Sequence, residues 1–162
     1  MKKLILMRHA KSDWNQPAGD HERPLLPSGV YDAGMIGVAL SGQLPDHFVV
    51  WSSTARRAKE TAEIVAGKIG CPPENIILKP DLYTFDMRGL ERAIRTCDNL
   101  YDCLLVFCHN EAITDFVNKF GDIFIDNVPT AGCVTLNFGT NDWDAFGIGT
   151  TGNVIFPRDL RP

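Results

Sequence analysis

Two histidines and a pair of arginines stand directly behind apolar runs of this 162-residue chain. Arg8 and His9 follow LILM (4 to 7), His109 follows CLLVFC (103 to 108), and SSTARRAKETA, with Arg56 and Arg57, follows FVVW (48 to 51). A neutral imidazole is a nucleophile and a proton carrier at physiological pH, and a guanidinium is a permanent cation whose forked N–H groups match the oxygens of a phosphate. The combination points to chemistry on an oxyanion. A lone histidine at a strand end is ordinarily structural. Several such groups converging on one place are hard to attribute to packing, because charges buried without partners cost several kcal/mol. Of the other histidines, His47 opens a strand at the far end of the sheet and reads as structural. His21 lies in a loop, and its role stays open.

Positioning these groups falls to the elements around them. Residues 4 to 7 read as a buried strand, followed by a Pro-, Gly- and Asp-rich loop to Pro27. Val30, Ala33, Ile36, Val38 and Leu40 sit at roughly helical spacing from Ser28 to about Ser41, with Ser28 placed as the cap. FVVW is a second strand, and residues 55 to 69 form an amphipathic helix closed by Gly70. A weaker strand at 76 to 78 and a helix around Leu90, Ala93 and Ile94 follow. The uninterrupted apolar run 103 to 108 is a strand covered on both faces, and a helix from about Glu111 to Phe120 comes next. Residues 133 to 138 and 143 to 148 read as a closing hairpin or edge strands turning through 139 to 142. Strands alternating with helices predict an α/β layered fold with a mainly parallel sheet, contained in one domain over 1 to 162. In such a sheet the ligand site lies at the carboxyl ends of the strands, which is where His9, Arg57 and His109 fall.

Composition narrows the functional classes. With 16 Lys and Arg against 20 Asp and Glu, a formal charge of −4 disfavours a nucleic-acid partner. The apolar start breaks off at Arg8, too short for a signal-peptide core or a membrane span, so a cytoplasmic location away from membranes is expected. Five cysteines without a CxxC pair predict neither a disulfide framework nor zinc, and the histidines form no HxH or HExxH pattern, so no metal and no cofactor are expected.

Taken together, MRHAKSDWN, DHERPL with the following Ser28-Gly29, SSTARRAKETA, the later CHN and the closing PRDL resemble the histidine phosphatase superfamily, the phosphoglycerate mutase-like fold. Within it, the short form with a D-x-x-R-P-L segment resembles the SixA-type phosphohistidine phosphatases. This resemblance implies that His9 is the nucleophile and becomes transiently phosphorylated. It implies that Arg8 and Arg57 bind the phosphate, Arg57 in preference to Arg56, and that His109 donates to the equatorial oxygens of the transferring group. Asn15 matches the asparagine of an S-x-W-N pattern and is a further candidate phosphate donor, its alternative being an ordinary loop residue.

The acid that protonates the leaving group has no clean counterpart in PDLYTFDMRG. Asp20 is the first candidate and Asp86 the second, with a structural role the standing alternative for each. A phosphohistidine substrate asks less of such an acid, because a protonated imidazole is a good leaving group. Cys108 stands where glycine usually precedes the second His-Asn. It reads as a buried inert cysteine, against a redox-sensitive thiol beside a cationic site. Trp14 reads as filling a loop core, against a place on the rim of the site. Only 46 residues, 63 through 108, lie between the Thr61-Ala62 motif and His109, which leaves little room for a lid. The expected activity is therefore a metal-independent phosphatase for a phosphorylated protein, such as a histidine phosphotransfer domain, or for a small phosphomonoester. The alternatives are a non-catalytic phosphate-binding or adaptor module and a phosphoglycerate mutase-type phosphotransferase.

Overall fold

Strand β1 (Lys2–Arg8) lies near the middle of a six-stranded sheet, and the rest of the fold is arranged around it. The computed structural model describes residues 1–162. In chain order the further elements are α1 (Pro27–Leu40), β2 (Val49–Ser52), α2 (Arg56–Ile69), β3 (Ile76–Leu78), α3 (Met87–Ile94), β4 (Cys103–Cys108), α4 (Ala112–Phe120), β5 (Cys133–Phe138), β6 (Thr150–Ile155) and the short α5 (Pro157–Leu160). The sheet order is β3-β2-β4-β1-β5-β6. Pairs β1/β4, β2/β4 and β2/β3 are parallel, whereas β5 runs antiparallel to both β1 and β6. The mainly parallel α/β sheet expected from the alternation of elements is the one observed.

Side chains alternate across the sheet as a pleated strand requires. Leu4, Leu6, Leu104 and Val106 join Ile94, Ile113, Phe116 and Trp143 in one core, under α3 and α4. Ile5, Met7, Leu105 and Phe107 join Ala33, Ile36, Leu40, Ala62 and Val65 in the other, under α1 and α2. Helices therefore cover both faces, which is why CLLVFC is apolar without alternation and buried at every position. The chain leaves β1 toward α1 on one face and leaves β4 toward α4 on the other. Between two parallel neighbours whose exits diverge in this way, a crevice opens at the carboxyl ends.

Several local expectations need correction. Ser28 does not cap α1: the N-cap is Leu26, and Pro27 occupies the first turn, where its fixed φ and missing N–H cost nothing. Val30 and Val38 face solvent, and the buried stripe of α1 runs instead through Gly29, Ala33, Ile36, Gly37 and Leu40. Glycine is required at 29, because a Cβ there would stand 2.3 Å from the Lys11 carbonyl oxygen. Residues 143–148 are not a strand. Trp143 is buried with its Nε1 donating to the Tyr101 carbonyl at 2.8 Å, and Phe146 stacks on Phe138 in the core, so the side chains anchor an irregular segment. The partner of β5 comes later, as β6, with a register shift between Val134 and Leu136. Gly70 ends α2 in the left-handed conformation, φ 77°, as its position predicts. No helix is long and apolar enough to cross a membrane.

Candidate active site

The ladder between β1 and β4 sets Arg8 opposite Cys108, so His9 and His109 leave the sheet side by side, with the His9 N–H donating to the Cys108 carbonyl at 3.1 Å. Their ring centroids lie 5.3 Å apart. The next strand over, β2, delivers Ser53 and then the first turn of α2, from which Arg57 projects between the two imidazoles. The four residues singled out from the sequence thus meet at one edge of the sheet. Arg8, His9 and Arg57 border a cleft of about 500 Å³, lined also by Asp20, Arg23 and Trp14, and His109 lies buried behind them.

His9 is buried, with Nδ1 2.8 Å from the Ala10 carbonyl oxygen. A carbonyl only accepts, so Nδ1 holds the proton and Nε2 presents its lone pair. The Nε–H of Arg57 points at that lone pair from 3.3 Å. Burial, joined by the cations of Arg57, Arg8 and Arg23, drives the His9 pKa down to about 3, so the ring is neutral and nucleophilic at physiological pH. His109 is fully buried, 0% exposed. Its Nε2 lies 2.8 Å from Ser53 Oγ, and its Nδ1 faces Arg57 Nη2 at 3.5 Å. Burial and then the neighbouring His9 and Arg57 hold it at about 3 as well. The rings of Tyr83 and Phe85 cover it, with centroids 5.5 and 5.3 Å away.

Arg57 is 1% exposed and donates from Nη1 to the Asp20 carbonyl oxygen at 2.6 Å and from Nη2 to Asp20 Oδ2 at 3.2 Å. Arg8 donates from Nη1 to the Val128 carbonyl at 3.0 Å, but its Nε is buried with no partner. Burial lowers the Arg8 pKa, a sign of an incompletely solvated cation. Arg56 is instead exposed on α2 and paired with Glu60 at 3.4 Å.

The candidate acids fare differently. Asp20 belongs to the site, but Tyr83 Oη–H donates to its Oδ2 and Arg23 and Arg57 flank it, which brings its carboxyl down to about 2. It is ionised at neutral pH and has no proton to give. Asp86 caps α3, accepting from the Arg88 N–H at 3.3 Å, away from the cleft. Asn15 is exposed and outside the lining, and its backbone N–H donates to Asp13 Oδ1 at 2.9 Å. Trp14 fills no loop core: it is 77% exposed and its ring lies over the Arg23 guanidinium, Cζ to centroid 3.5 Å. Cys108 is buried, points into the α3/α4 core, and burial pushes its thiol well up, which removes the thiolate that redox sensing needs. His21 sits beside the site, its Nε2 3.0 Å from Thr54 Oγ1, and His47 is exposed at the opposite end of the sheet.

Sequence reasoning missed Arg23, Tyr83 and Phe85. Arg23 was legible as the cation of D-x-x-R-P-L, whereas nothing local marks Tyr83 and Phe85, which reach the site because the β3–α3 connection folds over it.

Residues 4–96 match the family model of the histidine phosphatase superfamily, branch 1. The α/β fold and the imidazole–arginine cleft agree with that match, and the chain belongs to that superfamily. An uncharacterised Mycobacterium tuberculosis protein is 47% identical over 55 residues, 34% of this chain. That stretch is 35% of the relative's length, so the match spans about a third of that protein. An uncharacterised Mycobacterium leprae protein is 31% identical over 155 residues, covering 89% of this chain and 80% of the relative. Among solved structures, the protein histidine phosphatase SixA complexed with tungstate has a TM-score of 0.79 at 22% identity, over 98% of this chain and 99% of that one. An Entamoeba histolytica phosphoserine phosphatase bound to 3-phosphoglyceric acid has a TM-score of 0.66 at 16% identity, over 95% and 96%. At these identities the likeness is one of fold.

Proposed function

We propose that this chain is a phosphatase of the SixA type, one domain over residues 1–162, that transfers a phosphoryl group to His9 and then to water. The observation that carries this reading is the state of His9: Nδ1 tied to the Ala10 carbonyl, Nε2 unprotonated, and Arg57 aimed at the same point from 3.3 Å. A module that only binds phosphate has no use for a neutral imidazole held with its lone pair facing the cations. The tungstate of the SixA structure is a phosphate-like oxyanion, which supports an oxyanion as the class of ligand.

In this mechanism Arg8 and Arg57 take the non-bridging oxygens, which provides acceptors for the orphaned Arg8 Nε and draws the Arg57 Nε–H off His9. His9 Nε2 attacks phosphorus in line with the leaving group, and the electron pair of the breaking bond goes to that group. The incoming dianion raises the His109 pKa, so that a protonated His109 donates from Nδ1 to the transferring oxygens while Nε2–H stays on Ser53. Water then attacks phosphorus, the phosphorus–nitrogen bond breaks with its electron pair returning to His9 Nε2, one water proton leaves to solvent, and inorganic phosphate and neutral His9, Nδ1 still protonated, are released.

No protonated carboxylic acid faces the leaving group, since Asp20 is ionised and Asp86 caps a helix. That favours leaving groups that depart without such help, a protonated imidazole above all, and supports phosphohistidine on a protein as the substrate class. Five free cysteines, four of them buried, fit a reducing compartment such as the cytoplasm. Phosphate release should be measured from a phosphohistidine-bearing phosphotransfer protein and from p-nitrophenyl phosphate, with chelator present. Turnover by the wild type and none by His9→Ala supports the reading; residual turnover by His9→Ala at the wild-type rate overturns it.

A further inference from the structure

The proposed reaction leaves one buried cation of the cleft without a task. Arg23 is 6% exposed. Its Nε donates to Ser12 Oγ at 2.8 Å, its Nη1 to Asp20 Oδ1 at 2.8 Å, and its plane lies against Trp14. Nη2 has no hydrogen-bond partner in the protein, yet Arg23 lines the cleft. A guanidinium fixed on three sides and open on the fourth is prepared for an acceptor that a ligand supplies, at little further entropic cost.

Its place is beside the phosphoryl position. The Asp20 carboxylate takes Arg23 on Oδ1 and Arg57 on Oδ2, so the two guanidiniums stand one carboxylate apart. Arg57 is the one aimed at His9 Nε2. Arg23 comes next along, toward the exposed Trp14 and toward Lys11, an exposed lysine whose amino group makes no ion pair. Charge points the same way. Arg8, Lys11, Arg23 and Arg57 face the cleft against Asp20 alone. A phosphoryl dianion together with Asp20 neutralises three of these four cations and leaves one for another anion.

We propose that Arg23, with Lys11 at the mouth, forms a second anion subsite, and that preferred substrates carry a carboxylate or second phosphate near the group transferred. This rests on the phosphatase reading above. Arg23 is a specificity residue here: it touches the substrate's second charge and not the reacting atoms. The same chemistry is offered by a small phosphate ester bearing a carboxylate and by an acidic side chain beside the phosphorylated residue of a protein.

Two matched substrate pairs separate these sources: 4-carboxyphenyl phosphate against 4-carbamoylphenyl phosphate, and a phosphohistidine peptide with glutamate or glutamine beside the modified residue. Wild type should favour the charged member of at least one pair by about tenfold in kcat/KM, as a charge-assisted hydrogen bond allows. The pair with the larger ratio names the source. Arg23→Gln should bring the ratio to near one while the neutral members are still turned over, Arg23→Lys should retain part of it, and Lys11→Gln should lower it less. Equal turnover of both members of both pairs by wild type overturns the proposal, as does a preference that survives in Arg23→Gln. If no substrate is turned over, the phosphatase reading fails and the subsite is read from calorimetric titration with phosphate and pyrophosphate. Arg23→Gln should then weaken pyrophosphate about tenfold and phosphate by less than about threefold, and equal losses overturn it.

Discussion

Two cations at opposite ends of the same strand, Lys2 wholly buried and Arg8 half-buried, have opposite fates. Lys2, at the start of β1, is 1% exposed and spends all three of its donors: on the Asn99 carbonyl at 2.7 Å, the Tyr101 carbonyl at 3.0 Å and Asp102 Oδ1 at 2.9 Å, with Trp143 beside it. Arg8, at the end of β1, leaves its Nε without an acceptor, and its neighbour Arg57 aims one N–H at a histidine lone pair. One end of the sheet is internally satisfied, and the other keeps a buried guanidinium donor without an acceptor. In the proposed reaction the difference separates a cation that holds the fold from cations that take the phosphoryl oxygens.

The sharpest break in that comparison comes from exchanging the two ends. Arg57→Ala should lower kcat/KM for p-nitrophenyl phosphate by about 10³-fold, the scale of removing a donor from a charged transition state, with an unchanged circular dichroism spectrum. Lys2→Met should do the reverse. It orphans buried carbonyls, so urea unfolding should give a loss of about 1–3 kcal/mol, while kcat/KM of the folded protein stays within about twofold. An anion should then repair the unsatisfied end only. Vanadate at 100 times its Kd should stabilise wild type by about 2.7 kcal/mol in thermal melts, and Lys2→Met equally, but leave Arg57→Ala unmoved.

Acidification probes the same asymmetry more gently. His9 and His109 have folded pKa values of about 3 against an ordinary 6.5. Between those values the unfolded chain binds two protons that the folded chain refuses. Stability is therefore complete above pH 6.5 and falls as pH drops toward 3, with Asp20 adding its own loss only below about 4. Melting temperatures measured from pH 7 to 4 should decline, and saturating vanadate should flatten the decline. The smallest effects belong to the residues that the geometry removes from the site. Asn15→Ala should leave kcat/KM unchanged, and Asp86→Ala should cost a few degrees of melting temperature through the lost α3 cap and nothing in turnover.

How much of this was legible in the residues differs by region. The strands of the sheet centre announce themselves because they are apolar on both faces, and the residues that follow them, His9, Arg57 and His109, inherit their positions from those strands. Where a side chain's fate depends on a distant partner, local pattern misleads. Val30 and Val38 look like core residues until Gly29 and Gly37 are seen to be the close-approach points of α1. Trp143 and Phe146 look like strand residues because they are apolar, yet their burial comes from a loop tucked against α3 and α4. A tryptophan in a loop reads as core, yet Trp14 stands outside with its ring against the Arg23 guanidinium. The D-x-x-R-P-L segment makes Asp20 a candidate acid, with a structural role as the alternative. Its inability to act as an acid depends on Tyr83, which lies 63 residues away.

Because His9 and His109 are first residues beyond paired strands, their separation is set by ladder register, Arg8 against Cys108, and not by any loop. The connections after β1, β2 and β3, which carry Trp14, Arg23, Thr54 and Phe85, lie outside that ladder, the first of them held by its own Ser12–Leu25 pairing. Under the proposed function, insertions and exchanges there would retune what the protein accepts without moving the two imidazoles apart. A single-residue slip of β1 against β4 would turn one of them to the opposite face of the sheet. The molecule is in that sense two inheritances in one chain, an imidazole spacing written in the sheet and a cleft lining written in the loops.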